Sequence, residues 1–328
     1  MDKINIIDCT LRDGGYYNNW DFPNNLVNEY LKSVSDSGIK YVELGFRSLS
    51  KKEFKGPNWY TTDSYINHLI IPKKLKLGVM VNMSELMSSN LERKKRIDTL
   101  FKNKKDSEIS FVRIAAHFKE FEAALEACNI LQSKGYFVCI NLMQISEQTK
   151  ENIYFASKKS NLYKPDVLYF ADSLGGMRSN DIKNVVKEFR KTWKGALGIH
   201  AHDNLEEALS NTLTSIHQGV SWVDSTITGM GRGPGNAKTE YLVLEVGKLL
   251  KRKTNIIPIS KLIKNHFVEL KNFYNWGTNP FYYLAGKYGI HPTYIQEMLS
   301  IKLDEFEILE AINQLKGEKG TKYDINLV

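Results

Sequence analysis

The chain has 328 residues, 42% of them hydrophobic and 25% charged, with 45 Lys and Arg against 37 Asp and Glu for a formal charge of +8. This excludes a disordered or fibrous protein, and the basic excess is scattered over helical stretches such as "LERKKRIDTLFKNKK", as on a solvated surface and not a nucleic-acid footprint. No run approaches the roughly 18 apolar residues of a membrane span, and Cys9, Cys128 and Cys139 form no C-x-x-C pair, so neither a disulfide framework nor a thiolate zinc site is expected.

Short apolar segments recur along the chain with amphipathic helical stretches between most of them. Strands are expected at "INIIDC", "YVELGF", "KLGVMVN", "FVRIAA", "FVCINLM", "DVLYFAD", "ALGIHAH" and "WVDSTIT". Helices are expected at Asn24–Asp36, "EFEAALEACNILQSKG" and "SNDIKNVVKEFRKTWKG", and Gly38, Gly135 and Gly219 stand where helix C-termini prefer glycine. The strands read as continuous apolar runs, which suits a parallel sheet covered on both faces. Eight such β-α units in about 250 residues match a (β/α)8 TIM barrel, with a doubly wound open sheet as the rival. The barrel is expected over residues 1–250 and a small helical C-terminal region over 251–328, with a loop at "NWGTNPFYYLAGKYGIHP".

A barrel builds its site at the C-terminal ends of its strands, and polar residues gather there. Strand 1 runs into Arg12-Asp13, strand 2 carries Glu43 with Arg47 beyond it, and strand 4 carries Arg113 with His117 following. Strand 5 gives Asn141 and Gln144, strand 6 gives Asp172-Ser173, and strand 8 leads through Asp224 and Thr226 into "GMGRGPGNAKTE". Strand 7 ends in "IHAHDN", where residues two apart share a side, so His200 and His202 can face one point. Two imidazoles and a carboxylate, for which Asp13 is the choice, suit a divalent metal with open positions. A hydrogen-bonded structural pair is the other reading of H-x-H alone. Asn204 is expected to cap the next helix, with Glu206 and Glu207 in its first turn. The turn "GMGRGPGN" is neither a P-loop nor G-x-G-x-x-G. Its glycines permit close backbone approach to a ligand and Asn236 offers a carbonyl oxygen, although a plain tight connection reads equally from this segment alone.

Together "DCTLRDG", "ADSLGGM", "HAHDN" and "GMGRGPGNAKTE", in order over residues 4–245, resemble the metal-dependent pyruvate aldolases and acyl-CoA lyases and synthases related to hydroxymethylglutaryl-CoA lyase, the DRE-TIM metallolyases. "VRIAAH" and "ADSLGGMRSNDI" look like the 4-hydroxy-2-oxovalerate aldolase branch. The resemblance implies Asp13, His200, His202 and Asn236 as ligands of Mn²⁺ or Mg²⁺, Arg12 on the 2-oxo acid and its enolate, and Ser173 on the pyruvate carboxylate. Glu43, Arg113, Asn141 and Tyr288 complete the expected substrate contacts. In this reading Arg12 and Asp13 are separate tools and not an ion pair, and Gly14 and Gly15 allow a tight turn beside the ligand.

The expected reaction joins or cleaves a pyruvate-type enolate and an aldehyde, polyhydroxylated or sugar-derived; a Claisen-type acyl-CoA lyase or acyltransferase is the alternative. One departure concerns the base, because those aldolases place a histidine where this chain has Tyr16; Tyr16, His117, Tyr17 and Tyr288 are the candidates. The C-terminal aromatics Phe281, Tyr282, Tyr283 and Tyr288 are expected in core or dimer contacts, and the segment does not resemble the one that docks an aldehyde dehydrogenase. A cytoplasmic homodimer, with no nucleic-acid or membrane partner, is expected.

Overall fold

The structure, a computed structural model, describes residues 3–49, 53–87, 89–317 and 320–324. Its strands are β1 (Asn5–Asp8), β2 (Tyr41–Phe46), β3 (Lys76–Asn82), β4 (Ile109–Ala116), β5 (Phe137–Leu142), β6 (Val167–Asp172), β7 (Ala196–Ala201) and β8 (Trp222–Ser225). They pair in parallel and in sequence order, and β8 closes on β1, so the chain is a TIM barrel. The helices Asn24–Asp36, Phe121–Ser133 and Ser179–Arg190 form where the apolar periodicity places them, and Gly38, Gly135 and Gly219 take positive φ beyond helix ends. Among the described residues no helix is long and apolar enough to cross a membrane.

Burial on both strand faces explains why the sequence shows runs and not alternation. One face of each strand, with Val42, Leu44, Val79, Val81, Val112 and Ile114, joins the large core under the helices. The other face fills the barrel: Ile7, Phe111, Cys139, Val167, Tyr169 and Trp222 make an apolar floor. Space in that floor is met by glycine, since a Cβ at Gly78 would lie 2.2 Å from the Phe111 ring and one at Gly198 2.4 Å from Tyr169. Above the floor, the same inward register brings Glu43, Arg113, Asp224 and His200 into the barrel, all buried.

Several local expectations are corrected. The first strand stops at Asp8, and Thr10–Asp13 is a short helical turn that carries Arg12 and Asp13. β8 stops at Ser225, before the expected "TIT". The helix after β7 begins at Ala208, so Glu206 and Glu207 precede it. Asp203, not Asn204, accepts its Ala208 N–H, because the Asn204 amide is turned to the Tyr282 carbonyl. The segment expected as a loop contains the helix Pro280–Tyr288, capped by the Asn279 side chain and closed by Gly289 at positive φ. Gly14 and Gly15 are not needed for a left-handed turn; a Cβ would meet Met230 at 2.6 Å or Trp20 at 2.1 Å.

Beyond the barrel, Ile259, Leu262, Phe267 and Trp276 join the main core. The helices Pro280–Tyr288, Pro292–Ser300 and Glu305–Leu315 build a second small core from Tyr282, Ile290, Tyr294, Met298 and Ile308. Phe281 and Tyr288 pack against it, and Tyr283 is exposed. This core is fastened to the C-terminal face of the barrel by Asn204 on Tyr282, by Gln144 on Thr321 and by Gln296 on Gly233.

The turn that presents Arg12 and Asp13 hangs from one buried carboxylate. Asp8, wholly buried between β1 and the helices, accepts from the Thr10 N–H and hydroxyl, from Tyr30 and from Thr239. Burial raises its pKa, although those hydrogen bonds act the other way. Removing the acceptor strands several buried donors. Asp8→Ala is expected to lose about 2–4 kcal/mol of stability, read as a lower denaturation midpoint in urea.

Candidate active site

At the barrel mouth Asp13, His200 and His202 bring one ligand atom each within 4.8 Å of the others. The His200 and His202 tautomers follow from their partners. His200 Nδ1–H donates to Asp224 Oδ2 at 2.8 Å and His202 Nδ1–H to the Asp172 carbonyl at 2.9 Å, so each presents a bare Nε2. His200 Nε2 lies 3.2 Å from Asp13 Oδ2 and 3.1 Å from Asn236 Nδ2. Asp13 Oδ2 and the Asn236 carbonyl oxygen are buried with no hydrogen-bond partner, which is costly unless something else occupies them. Gly231 keeps room for the amide, as a Cβ there would stand 2.0 Å from Asn236 Oδ1. Two imidazole nitrogens, a carboxylate and a carboxamide oxygen form a donor set that fits a divalent cation.

Cys9, His200 and Asp224 make a second close group, but its chemistry differs. His200 spends Nδ1 on Asp224. Burial, followed by the charges of Asp224 and Glu43, pushes the Cys9 thiol well up, so it stays protonated.

The charges are held by a buried chain of ion pairs. Arg12 contacts Asp13 through Nη1 and Glu43 through Nε at 2.7 Å. Arg113 reaches Glu43 at 3.3 Å and Asp224 at 2.6 Å, lying over the Tyr169 ring at 4.4 Å. Arg12 and Asp13 are thus an ion pair after all, contrary to the sequence expectation, because both leave the same helical turn. Of the Arg12 nitrogens, Nη2 stays buried without a partner, as does Arg113 Nε. Burial opposes charge on Arg12, but Asp13 and Glu43 outweigh it and raise its pKa. Burial likewise opposes charge on Asp13 and Asp224, yet Arg12 and His200 hold the first, and Arg113 and His200 the second, below the usual carboxylate range. Two arginines face three carboxylates here, so the cluster carries one uncompensated negative charge before any proton or cation joins it. His200 is raised despite its burial, by Asp13 and Asp224, while burial and then His200 and Arg232 push His202 down to about 3.

The remaining expected residues are placed as follows. Glu43 and Arg113 are fully buried beneath the mouth, and Asn141 beside them has a buried carbonyl oxygen without a partner. Ser173 Oγ accepts from the Gln144 N–H at 2.9 Å. Tyr16 stands on the rim, 39% exposed, edge-on to Trp20 and under the Arg232 guanidinium; its hydroxyl makes no hydrogen bond among the described residues. Tyr17 is occupied, donating to the Gly233 carbonyl at 3.0 Å. His117 lies in an adjoining cleft, and Tyr288 packs in the C-terminal core with Lys316 over its ring at 4.2 Å. Arg47 is turned away to Thr61, Leu100 and Asp63. Sequence reasoning passed over Arg232, His291 and Lys322. The first had a signal, an arginine between glycines of the last motif; the others come to the mouth only through the C-terminal fold.

The HMGL-like family model matches residues 3–264. The chain belongs to the HMGL-like family. Oxaloacetate decarboxylase of Mycobacterium tuberculosis is 27% identical over 240 residues, 73% of this chain and 68% of that protein. The 4-hydroxy-2-oxovalerate aldolase of Carboxydothermus hydrogenoformans is 28% identical over 255 residues, 75% of this chain and 71% of that one. Among solved structures, the N-terminal domain of a Bacteroides vulgatus protein proposed to be an aldolase superposes with a TM-score of 0.80 at 31% identity, covering 94% of this chain and 100% of that one. This HMGL-like chain is a carbon–carbon lyase, since both curated relatives break such a bond.

Metal affinity should report the geometry directly. Asp13→Ala and His200→Ala are each expected to abolish Mn²⁺ binding in calorimetry, and Asp224→Ala, which frees the His200 ring, to weaken it about 10–100-fold. Because a proton favoured on His200 competes with the cation, affinity should rise with pH through the neutral range, with protons released on binding.

Proposed function

We propose that the chain is a divalent-metal-dependent aldolase that forms or cleaves a carbon–carbon bond between the enolate of pyruvate, or a close 2-oxo acid, and an aldehyde. The observation that carries this reading is the meeting of four oxygen and nitrogen donors, two of them unsatisfied, beside an arginine with one free nitrogen. Loss of CO₂ from oxaloacetate and retro-aldol cleavage of a 4-hydroxy-2-oxo acid leave the same pyruvate enolate, so the names of both relatives agree with one charge to be stabilised.

Asp13, His200, His202 and Asn236 would hold Mn²⁺ or Mg²⁺. When bound, that ion supplies Lewis-acid stabilisation of the enolate oxyanion, contributing several kcal/mol. Arg12 does its part without the ion. Glu43 and Asp13 fix two of its nitrogens, which leaves Nη2 to donate to the oxygen on which charge develops. Because the guanidinium is held before the reaction, little reorganisation is needed. Ser173, at the end of β6, is assigned to the carboxylate of the 2-oxo acid. Buried Trp20, Phe46, Met80 and Ala115 line the mouth and keep water from the enolate.

Tyr16 is assigned the proton at the aldehyde oxygen. Its hydroxyl is free and at the rim, whereas Tyr17 is bonded to Gly233 and His117 lies in the adjoining cleft.

Pyruvate incubated in D₂O with Mn²⁺ and no CoA is expected to lose its methyl protons by NMR, and a chelator to stop the exchange. Exchange that needs CoA would move the assignment to the acyl-CoA chemistry; exchange indifferent to chelation would remove the metal from it. Arg12→Ala should slow exchange by about 10²–10³-fold. Tyr16→Phe should depress aldol turnover far more than exchange.

A further inference from the structure

Beside the ligand group a cleft of about 740 Å³ runs between the ends of β4 and β5 and the C-terminal tail. Its volume is that of a small-molecule site. The polar lining consists chiefly of Lys119, Lys322, His117, His291, Gln144 and Gln148, and no aspartate or glutamate lines it among the described residues. The nearby carboxylates are engaged, Glu120 by the His117 N–H at 3.0 Å and Glu297 by the Tyr323 hydroxyl. Burial, assisted by Lys119 and Lys322, lowers the His117 pKa, and burial with Arg232 pushes His291 down to about 2. Both imidazoles are therefore neutral and can exchange hydrogen bonds with hydroxyl groups.

The cleft is built as part of the site. Gln144, in left-handed backbone at φ 53°, donates its N–H to Ser173 and its amide to the Thr321 carbonyl. Such backbone in a non-glycine residue is held only where its surroundings impose it. Ser173 follows Asp172, whose carbonyl orients His202. His291 lies within electrostatic reach of Arg232, His202 and His117 together. Lys322 is set in place because its carbonyl accepts from the Tyr294 hydroxyl, the His291 N–H donates to Gly320 within the C-terminal region, and Gln144 ties Thr321 to the barrel.

We propose that this cleft seats the distal part of the aldehyde, and that the aldehyde is hydroxylated and ends in an anion, a carboxylate or a phosphate. The inference rests on the pyruvate-aldolase reading and names its second substrate. The bond forms between the enolate methylene carbon and the aldehyde carbon, and the aldehyde oxygen takes up one proton; no further reactant is required. The amides and neutral imidazoles meet the hydroxyls, and the ammonium groups of Lys119 and Lys322 meet the anion. A short alkanal would leave this lining unpaired, which a site built for polar groups disfavours.

The test compares D-glyceraldehyde 3-phosphate with D-glyceraldehyde, and succinic semialdehyde with butanal, each with pyruvate and Mn²⁺. The charged member is expected to have the higher kcat/KM by at least about tenfold, through KM, with the two pairs separating phosphate from carboxylate. The Lys119→Ala, Lys322→Ala double variant should lose that preference. Equal use of charged and neutral aldehydes, or a preference unchanged in the double variant, overturns the assignment. Pyruvate exchange, which needs no aldehyde, is read on the same preparations and shows that they are folded and loaded. Its absence from the wild type would instead overturn the aldolase reading, and this inference with it.

Discussion

The site depends on a line of buried charge that runs from Asp13 through Arg12, Glu43, Arg113 and Asp224 to His200. Taking five charged groups out of water is expensive, and such a network is held only where nearly every group has a partner. The atoms left without one are therefore informative. Arg12 Nη2, Asp13 Oδ2 and the Asn236 carbonyl oxygen all gather at the mouth. Glu43, Arg113 and Asp224 also keep one unpartnered buried atom each, but the three at the mouth are the ones a cation and an oxyanion would satisfy at the ligand group. The same network fixes the His200 tautomer, since Asp224, itself oriented by Arg113, takes the Nδ1 proton.

The two halves of the barrel interior divide the work. An apolar floor of Phe111, Tyr169, Trp222 and their neighbours gives the rigid base on which the charged layer rests. Tyr169 belongs to both, as its ring supports Arg113 from below. The C-terminal core then closes one side of the mouth, contributing His291 and Lys322 to the cleft beside His117. A segment that looks like an appendage along the chain packs on the C-terminal face of the barrel and lines a cleft there.

Much of this was legible in the residues. The recurrence of apolar runs and helices gave the barrel, because a parallel sheet covered on both faces leaves that pattern. The H-x-H spacing gave two imidazoles on one side of β7, because strand geometry has a period of two. Where local reasoning failed, a distant partner had intervened. Asn204 looked like a helix cap, but the Tyr282 carbonyl claimed its amide. Arg12 and Asp13 looked separable along the chain, but a helical turn hung from Asp8 put their side chains together. The segment around Pro280 looked irregular, yet Asn279 caps a helix there that has a second core to pack on.

The sequence by itself narrowed the fold class to a parallel β-α barrel or its open-sheet rival and singled out Asp13, His200 and His202 as candidate cation ligands, since both follow from periodicity and from the chemistry of side chains at strand ends. Tertiary structure alone decided which atoms are free. Whether Tyr16 or Tyr17 keeps an available hydroxyl depends on Gly233, more than 200 residues away along the chain. Whether a lysine stands by the mouth depends on how the last helices dock. Those outcomes turn on contacts between segments remote in sequence, and no local pattern encodes them.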